Sequence, residues 1–218
     1  MALAIFDLDN TLLAGDSDYL WGRYLAENHI VDPEHYHETN LAFYRDYQAG
    51  RLDIGAFLRF VFQPLADNSM EDLLRWRADY LQQKIKPIIL NKGIELIEHH
   101  RAQGDIPLII TATNSFITSP IAQLLGIEHL IATEPAFVDG RYTGEVAGVP
   151  SFQHGKVTRL NDWLEQYGYD LRGSFFYSDS HNDLPLLEQV DTAVAVDPDD
   201  ILKSVAKQRG WKILSLRE

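Results

Sequence analysis

Three short segments of the chain bring acidic and hydroxyl side chains together, and each directly follows an apolar run. They are Asp7-Leu8-Asp9-Asn10-Thr11, Thr111-Ala112-Thr113-Asn114 and Ser178-Asp179-Ser180-His181-Asn182-Asp183. Carboxylates that are crowded together repel one another, and the usual compensation is a hard divalent cation bound through oxygen. Mg2+ is the natural choice, because it keeps several waters and leaves coordination positions open for a phosphate oxygen. The three segments therefore predict a magnesium site that handles a phosphorylated small molecule.

Individual residues in and around these segments suit the separate tasks of phosphoryl transfer. Asp7 could attack phosphorus and form an aspartyl-phosphate, while Asp9 could serve as general acid and then as general base. The hydroxyl of Thr111 and the ammonium group of Lys156 would hold the phosphate oxygens. Each residue alone has a simpler interpretation, since an Asp after a strand is usually a helix cap and a lone Lys usually lies on the surface. The prediction depends on the whole set.

The composition narrows the class of protein. A chain of 218 residues that is 45% hydrophobic can form one sizeable core and a smaller inserted lobe. It has no Cys, which excludes disulfides, thiolate zinc sites and thiol catalysis. Its 32 acidic and 19 basic residues give a net charge of −13, which disfavours nucleic acid and anionic membranes as partners. No signal sequence or membrane-spanning run is recognisable, so we expect a soluble, cytoplasmic protein.

The order of apolar runs predicts an α/β fold with a doubly wound, parallel, Rossmann-like sheet. Short, nearly continuous apolar runs are typical of buried parallel strands and lie at 3–8, 107–111, 129–133, 174–178 and 192–196. Amphipathic segments with helix signals separate most of them: Ser119 and Pro120 open one that Gly126 closes, and Pro198 opens another. In such a sheet the reactive crevice lies beyond the carboxyl ends of the strands, where the acidic segments fall.

The region after the first strand has a different pattern, because residues 16–87 contain no convincing strand. Aromatic residues recur there at helical spacing, and Ser69 with Asp72 forms a capping-box pattern. We therefore divide the chain into an α/β core of residues 1–15 and 88–218 and a helical insert of residues 16–87. The aromatic residues of the insert could line a ligand pocket, although the interior of a small helical bundle is the commoner place for Tyr19, Trp21, Tyr24, Phe43, Tyr47, Phe57 and Phe60. A hairpin is predicted around Asp139 and Gly140, as a surface feature.

The acidic segments, taken in order with Thr111 and Lys156, resemble the four motifs of the haloacid dehalogenase superfamily. The resemblance covers essentially the whole chain. The segment from Ser178 to Asp183 is similar to the GDGxND loop of the branch that contains phosphoserine phosphatases, and the helical insert resembles the cap domain of that branch. What the resemblance implies is a magnesium-dependent phosphatase that acts through an aspartyl-phosphate.

The resemblance also implies a role for each matching residue. Asp7 would be the nucleophile and Asp9 the acid and base. Mg2+ would be bound by Asp7, by the main-chain carbonyl of Asp9 and by Asp179, with Asp183 supporting the metal or its waters. Phosphate would be held at Thr111, Ala112, Lys156 and Asn182.

Asp16 bears on the substrate. In phosphoserine phosphatases an acidic residue at a similar spacing reads the amine of the substrate, which points to an amino-bearing phosphomonoester such as phosphoserine or histidinol phosphate. Asp18 is an alternative for this task, and Asp16 could equally be a helix cap. Thr111-Ala112 and Ser178-Asp179-Ser180 depart from the Ser-Gly and Gly-Asp-Gly of phosphoserine phosphatases and resemble more closely a group that includes proposed histidinol-phosphate phosphatases.

Two further interpretations of the chain stay open. A phosphotransferase would use the same intermediate, and a non-catalytic binding module could share the fold. The eight His residues invite a metal site, but the pair His99-His100 points to different faces of a helix and is interpreted as surface. His181 is interpreted as a loop residue without a chemical role.

Overall fold

A computed structural model describes residues 2–217 and shows one mostly parallel sheet covered by helices. Within that range the sheet has seven strands in the order β4-β3-β2-β1-β5-β6-β7, and β4 runs antiparallel to β3 while the other neighbours are parallel. The strands are β1 (Leu3–Phe6), β2 (Ile106–Asn114), β3 (His129–Val138), β4 (Arg141–Ala147), β5 (Phe175–Ser178), β6 (Thr192–Val196) and β7 (Lys212–Leu214). The predicted doubly wound α/β class is confirmed.

Helices fill the connections between these strands. They are α1 (Ser17–Glu27), α2 (Pro33–Gln48), α3 (Ile54–Asp67), α4 (Met70–Tyr80), α5 (Asn91–Ala102), α6 (Ser115–Leu124), α7 (His154–Tyr167), α8 (Leu184–Leu187) and α9 (Asp200–Arg209). A π-helical turn (Leu81–Ile85) and a 3-10 turn (Lys86–Ile88) follow α4. None of the helices in the described part of the chain is long and apolar enough to cross a lipid bilayer.

The core has two layers because side chains of β1 alternate between the faces of the sheet. Leu3 and Ile5 pack in one cluster with Leu160 of α7 and Leu202 of α9, whereas Phe6 packs in the other cluster on the opposite face. Residues Leu3 to Phe6 are all buried. Burial on both faces is what a central parallel strand requires, and it fixes the position of the residue that follows Phe6.

Four helices, α1 to α4, lie between β1 and α5, as predicted for residues 16–87. Each begins at a side chain that accepts a hydrogen bond from the first turn: Asp16, Asp32, Asp53 and Ser69. Asp72 N donates to Ser69 Oγ at 3.2 Å, as the predicted pattern requires, and the return bond runs from the Ser69 hydroxyl to Asp72 Oδ2 at 2.7 Å instead of from the Ser69 main-chain N–H. The division into a core of 1–15 and 88–218 and an insert of 16–87 stays a prediction.

Several boundaries differ from those predicted. The strands β2 and β3 extend beyond Thr111 and Thr133, and their register shifts between Ile110 and Asn114. Helix α6 starts at Ser115 and is capped by Asn114, so the predicted start at Ser119 and Pro120 is wrong. Strand β7 was not predicted.

Pro120 lies inside α6 because a side chain from the insert compensates for it. Proline has no N–H to donate to the carbonyl four residues earlier, which is that of Phe116. Arg77 Nη1 of α4 donates to Phe116 O at 2.7 Å instead. The helix therefore continues through the proline, and α4 is attached to α6.

The hairpin is confirmed, but it is more than a surface feature. Asp139 and Gly140 join β3 to β4 with φ angles of 50° and 81°, the positive values typical of a tight hairpin turn. The strand β4 forms one edge of the sheet, and its Tyr142 and Val146 pack against the core cluster that contains Phe6. Tyr142 also meets the ring of Phe116 at a centroid distance of 5.6 Å.

Candidate active site

The predicted site residues meet at β1, where the chain switches from building one half of the sheet to building the other half. Strand β1 lies between β2 and β5, and the chain leaves these neighbours toward opposite sides of the sheet. The carboxyl ends of the three strands therefore open a crevice, the usual ligand position in this class of sheet. Asp7 follows β1, Thr111 lies near the end of β2, and Asp179 follows β5.

Asp7 is held from two sides. Its main-chain N–H donates to Tyr177 O at 2.9 Å, which continues the pairing of β1 with β5. Its Oδ1 accepts a hydrogen bond from Lys156 Nζ at 2.8 Å, and the whole residue is only 5% exposed. Burial raises the pKa of Asp7 to about 7, and the charges of Asp183 and Asp9 add to this while Lys156 opposes it. The carboxylate faces the crevice in a fixed orientation.

Lys156 links two carboxylates in the interior. Its Nζ lies 2.8 Å from Asp7 Oδ1 and 2.8 Å from Asp183 Oδ1, and Ser178 donates to Asp183 Oδ2 at 2.7 Å. Burial alone would lower the pKa of Lys156, but the charges of Asp183 and Asp7 outweigh it and raise the pKa. The lysine is therefore a permanent cation, and the expectation of a surface residue does not apply.

The start of α7 brings Lys156 inward through a close backbone approach. A Cβ atom on Gly155 would lie 2.0 Å from Pro150 O, so only glycine fits at this position. Gly155 N also donates to Phe152 O at 2.8 Å. The glycine in His154-Gly155-Lys156 is therefore required for the close approach that directs Lys156 into the interior.

Thr11 joins the first and last acidic segments. Its hydroxyl lies 3.4 Å from Asp7 Oδ2 and 3.2 Å from Asp179 Oδ1, and Asp179 N donates back to it at 3.1 Å. Burial raises the pKa of Asp179, and the charges of Asp7 and Asp183 raise it further. The carboxylates of Asp7 and Asp179 therefore approach the same point.

Asp9 lies between the core and the insert. Its Oδ1 accepts from Ser17 N at 2.6 Å and its Oδ2 accepts from Thr113 Oγ1 at 2.8 Å, while Thr111 Oγ1 is farther away at 3.4 Å. Sequence reasoning gave Thr113 no role. The signal was present, because Thr113 is two residues beyond Thr111 and side chains at that spacing share one face of a strand.

These side chains form what we call the floor of the site, which consists of Asp7, Asp9, Thr111, Lys156, Asp179 and Asp183. Above the floor lies a cavity that is lined by Asp7, Asp9 and Thr111 together with Ala112 and Thr113. The insert contributes what we call the roof: Asp16, Asp18, Tyr19, Phe43, Tyr44, Tyr47 and Phe57. Among the described residues that line this cavity, none is Lys or Arg.

The roof carries two carboxylates among aromatic rings. Asp16 caps α1 by accepting from Tyr19 N at 2.8 Å, so the helix-cap interpretation holds, and it lines the cavity as well. Burial and the charge of Asp9 raise the pKa of Asp16 to about 7. Burial raises the pKa of Asp18, and the charges of Asp16 and Asp9 raise it further. The roof is therefore an acidic environment with no counterion among its members.

The aromatic residues of the insert divide between core and cavity. Trp21 and Tyr24 are buried in the core as expected, and Phe60 packs against it. Tyr19, Phe43 and Tyr47 line the cavity instead of the core, whereas Phe57 lines the cavity and also packs against the core. Helical spacing shows which residues share a face but not what that face meets.

The insert contacts the last acidic segment at the end of α2. Asn182 Nδ2 donates to Tyr47 O at 3.2 Å, and Asn182 Oδ1 accepts from Gln153 at 2.9 Å. Gly50 has a φ of 68°, and a Cβ there would lie 2.7 Å from His181 Nε2. His181 in turn pairs with Asp199 at 2.7 Å. The amide of Asn182 thus joins the insert to the last acidic segment, and its predicted phosphate contact stays a prediction.

His100 contradicts its interpretation as a surface residue. It is 2% exposed, and its ring nitrogens lie 2.9 Å from Asp105 Oδ2 and 2.7 Å from the hydroxyl of Tyr177. His99 is exposed, so the two faces differ as expected. His100 lies on the sheet-facing stripe of α5 with Gly93 and Ile97.

A comparison with protein-family models identifies the fold and the motifs together. The model for haloacid dehalogenase-like hydrolases matches residues 4–188, which span every acidic segment and Lys156. The chain belongs to this family.

Individual relatives of this hydrolase agree with the family match. It is 46% identical to a protein named histidinol-phosphatase from Neisseria meningitidis serogroup C, over 99% of both chains. It is 32% identical to a protein named phosphoserine phosphatase from Mycobacterium tuberculosis, over 99% of this chain and 71% of the relative. A solved structure of a protein of unknown function from Bordetella pertussis shares 41% identity over 99% of both chains, with a TM-score of 0.93.

The floor of this hydrolase fits a divalent cation. Four of its side chains are carboxylates, and Lys156 is the cation among them. Within residues 2–217, no three acidic or His side chains are placed to bind a metal ion by themselves. Mg2+ commonly binds through one or two carboxylates and completes its shell with water and phosphate oxygens, so a full cage is not required. The excess negative charge and the hard oxygen donors suit Mg2+, whereas direct contact of Asp183 stays a prediction because Lys156 faces it.

Proposed function

We propose that this hydrolase is a phosphatase that cleaves small phosphomonoesters through an aspartyl-phosphate at Asp7, with Mg2+ as its cofactor. The observation that supports it best is the meeting of Asp7, Asp9, Thr111 and Lys156 on one floor below one cavity. These groups are a nucleophile, an acid and base, a hydroxyl donor and a buried cation. Two-step phosphoryl transfer needs each of them.

In the first step, a carboxylate oxygen of Asp7 attacks phosphorus while the bond to the leaving oxygen breaks. Asp9 gives a proton to that oxygen, so the product is a neutral alcohol and an ionised Asp9. In the second step, Asp9 takes a proton from water as the water oxygen attacks phosphorus and the bond to Asp7 breaks. Inorganic phosphate leaves, and both carboxyl groups return to their starting states.

The charge of the phosphoryl group is balanced by groups of the floor. We propose that Lys156, Thr111, Ala112 and Asn182 hold the phosphate oxygens, and that Asp7, the carbonyl of Asp9, Asp179 and Asp183 hold the metal or its waters. When bound, Mg2+ supplies a positive charge that neutralises the phosphate and favours the ionised form of Asp7. Lys156 contributes a second fixed charge at Asp7 Oδ1.

We further propose that the helical insert of residues 16–87 acts as a cap that closes over bound substrate. Its polar contacts near the floor are few: Ser17 N with Asp9, and Tyr47 O with Asn182 of the last acidic segment. Elsewhere the insert packs on the core, with α3 along β4 and Arg77 of α4 on α6, so we expect the part of the cap above the floor to open for exchange and to exclude water when it is closed.

The substrate that best suits the cavity carries a positive charge, a flat or apolar part and no carboxylate. Asp16 and Asp18 offer negative charge near the rings of Tyr19 and Tyr44, which lie 5.1 Å apart. A carboxylate would face these acids without a Lys or Arg among the described lining residues. Histidinol phosphate has the favoured features, and a relative that is 46% identical bears the name histidinol-phosphatase. Phosphoserine fits less well because of its carboxylate.

The test measures phosphate release by purified enzyme with Mg2+. The substrates are histidinol phosphate, phosphoserine, amino alcohol phosphates, sugar phosphates, nucleotides and 4-nitrophenyl phosphate. We expect the highest kcat/KM for histidinol phosphate among these. A kcat/KM for phosphoserine equal to or above it would contradict the substrate assignment without touching the reaction class.

The reaction itself is tested with Asp7→Asn. The variant should lose about 10,000-fold or more in kcat for every substrate, because the loss of a nucleophile removes the covalent route. Asp170→Asn is the matched control, since Asp170 is exposed and pairs only with Arg172 in the described contacts. Turnover by Asp7→Asn close to that of the control would refute the nucleophile.

A further inference from the structure

A hydroxyl group outside the assigned machinery makes the shortest side-chain contact with the acid and base. Thr113 Oγ1 lies 2.8 Å from Asp9 Oδ2, whereas Thr111 Oγ1 lies 3.4 Å away. Thr113 is 6% exposed and sits near the end of β2, a rigid position. We propose that Thr113 positions Asp9 for proton transfer in both steps of the reaction, an inference that rests on the proposed function.

The two threonines are placed for different tasks. Thr113 N donates to Thr111 Oγ1 at 3.2 Å, which orients the Thr111 hydroxyl within the same strand end. Because Thr113 makes the shorter contact with Asp9 Oδ2, the hydroxyl of Thr111, 3.4 Å away, can turn to a phosphate oxygen without leaving Oδ2 unpaired. The end of β2 thus provides one hydroxyl for the phosphate, from Thr111, and one for Asp9, from Thr113.

The chemical type of the two donors decides which oxygen of Asp9 carries the proton. Ser17 N–H, at 2.6 Å from Oδ1, can only donate, so Oδ1 accepts in every state. A threonine hydroxyl can donate or accept. Thr113 therefore donates to Oδ2 when Asp9 is ionised, and when Oδ2 carries a proton its hydroxyl can turn so that this proton points at the leaving oxygen while Thr113 still donates to Oδ2. The proton moves at Oδ2, and the hydrogen bond to Thr113 persists through the cycle.

The effect of losing Thr113 should depend on the leaving group of the substrate. An alkyl alcohol leaves as a strong base and needs a proton from Asp9 as the phosphorus–oxygen bond breaks. A nitrophenolate leaves without one. Loss of Thr113 should therefore slow the cleavage of alkyl phosphates much more than that of nitrophenyl phosphate, whereas a general loosening of the site would slow both alike.

The experiment measures kcat/KM, which reports the first step, for a series of phosphate monoesters from alkyl to nitrophenyl. Thr113→Val keeps the shape and removes the hydroxyl, and Thr113→Ser keeps the hydroxyl. We expect Thr113→Val to lose about 100-fold for alkyl phosphates, at the lower end of what general acid catalysis contributes, and only a few-fold for nitrophenyl phosphate. Thr113→Ser should restore most of the alkyl rate.

Thr118→Val is the matched control, because Thr118 is also fully buried nearby but donates to a main-chain oxygen, that of Asn114, at 2.9 Å. It should leave the leaving-group dependence unchanged. If Thr113→Val does not fold, Thr113→Ala removes the hydroxyl without a β-branched side chain and gives the same test.

Three outcomes would overturn the assignment of Thr113. They are equal losses for alkyl and nitrophenyl substrates, failure of Thr113→Ser to restore the alkyl rate, and the same selectivity in Thr118→Val. A wild-type enzyme that releases phosphate from no substrate would instead remove the proposed function and Thr113 with it. The two failures are therefore distinguishable.

Discussion

On the floor of the site, Asp7, Asp9 and Asp183 each have at least two polar partners, whereas the roof meets the same cavity mainly with aromatic rings. The floor is built at the ends of β1, β2 and β5, and Lys156 is added from the start of α7. The roof is built from helices that face the cavity with one side. We therefore expect the reaction to depend on the floor and the choice of substrate on the roof, so changes in the two regions should have different kinetic signatures.

The largest combined effect on stability and activity is expected from Lys156→Met, which breaks the floor. Asp7 and Asp183 would then be buried without their cation, and breaking a buried ion pair costs about 3–5 kcal/mol of the free energy of unfolding. We expect kcat to fall about 1,000-fold, since a fixed charge at the reacting group is lost. Urea unfolding and phosphate release measure the two effects, with exposed Lys92→Met as control.

The double variant Lys156→Met with Asp183→Asn sharpens this test. Removal of the second partner should recover part of the lost stability, because one buried charge disappears, but it should not recover activity. Recovery of turnover together with stability would mean that Lys156 acts through folding alone.

The floor could be predicted from sequence because its residues follow strands. An apolar run predicts a strand, and parallel strands have their carboxyl ends on the same side of the sheet. Asp7, Thr111 and Asp179 are therefore expected to lie close together. Lys156 could be assigned to the site only through its place in the series of motifs. Its inward orientation depends on the close approach of Gly155 to Pro150, which a single sequence does not reveal. Sequence analysis assigns a task to the hydroxyl of Thr111 alone, whereas the folded site also places the hydroxyls of Thr11, Thr113 and Ser178 against its carboxylates.

The roof could not be predicted to the same depth. Periodicity placed Phe43, Tyr47 and Phe57 on helical faces, but the partner of each face is set by contacts that are distant in sequence. The same reason explains His100, whose burial depends on the packing of α5 on the sheet. Helix α6 was misplaced because Pro120 suggested a start, whereas Asn114 caps it and Arg77 satisfies the free carbonyl.

The next effect concerns the roof and is expected from Asp16→Asn. Asn keeps the helix cap but removes the negative charge. We expect KM for an amine-bearing phosphomonoester to rise about 10-fold or more, since a hydrogen bond to a charged group contributes about 1.5–3 kcal/mol. The kcat/KM for nitrophenyl phosphate should change only a few-fold.

Asp32→Asn is a matched control for this variant, because Asp32 also caps a helix, accepting from His35 N at 2.9 Å, but it is exposed. Equal losses for amine-bearing and nitrophenyl substrates in Asp16→Asn would remove the distinction between floor and roof.

The same substitution should have a smaller effect on stability that depends on pH. Burial and the charge of Asp9 raise the pKa of Asp16 from an ordinary 3.8 to about 7. Between these values the folded protein keeps a proton that the unfolded chain has lost, so Asp16 makes the folded state less stable as the pH rises. Asp16→Asn should therefore be no more stable than wild type at pH 4 and more stable than wild type at pH 8.

Thermal or urea unfolding without Mg2+ measures this difference, and Asp32→Asn again provides the baseline. A stability difference that is the same at pH 4 and pH 8 would show that the charge of Asp16 is not held at a cost in the folded state. The expected result links the two properties, because the acid that favours a cationic substrate would also weaken the empty protein.

The smallest effect is expected from Arg77→Met. This change removes a contact between α4 and α6 that lies outside both the floor and the roof. Arg77 donates to the carbonyl of Phe116, which Pro120 cannot reach with an N–H. Loss of this bond should cost about 1 kcal/mol of the free energy of unfolding and change kcat/KM only a few-fold. In a Pro120→Ala background the helix supplies its own N–H to that carbonyl, so Arg77→Met should cost less there. A cost that is equal in both backgrounds would mean that Arg77 stabilises α6 through its packing on the Phe116 ring, 4.6 Å away, instead of through the carbonyl.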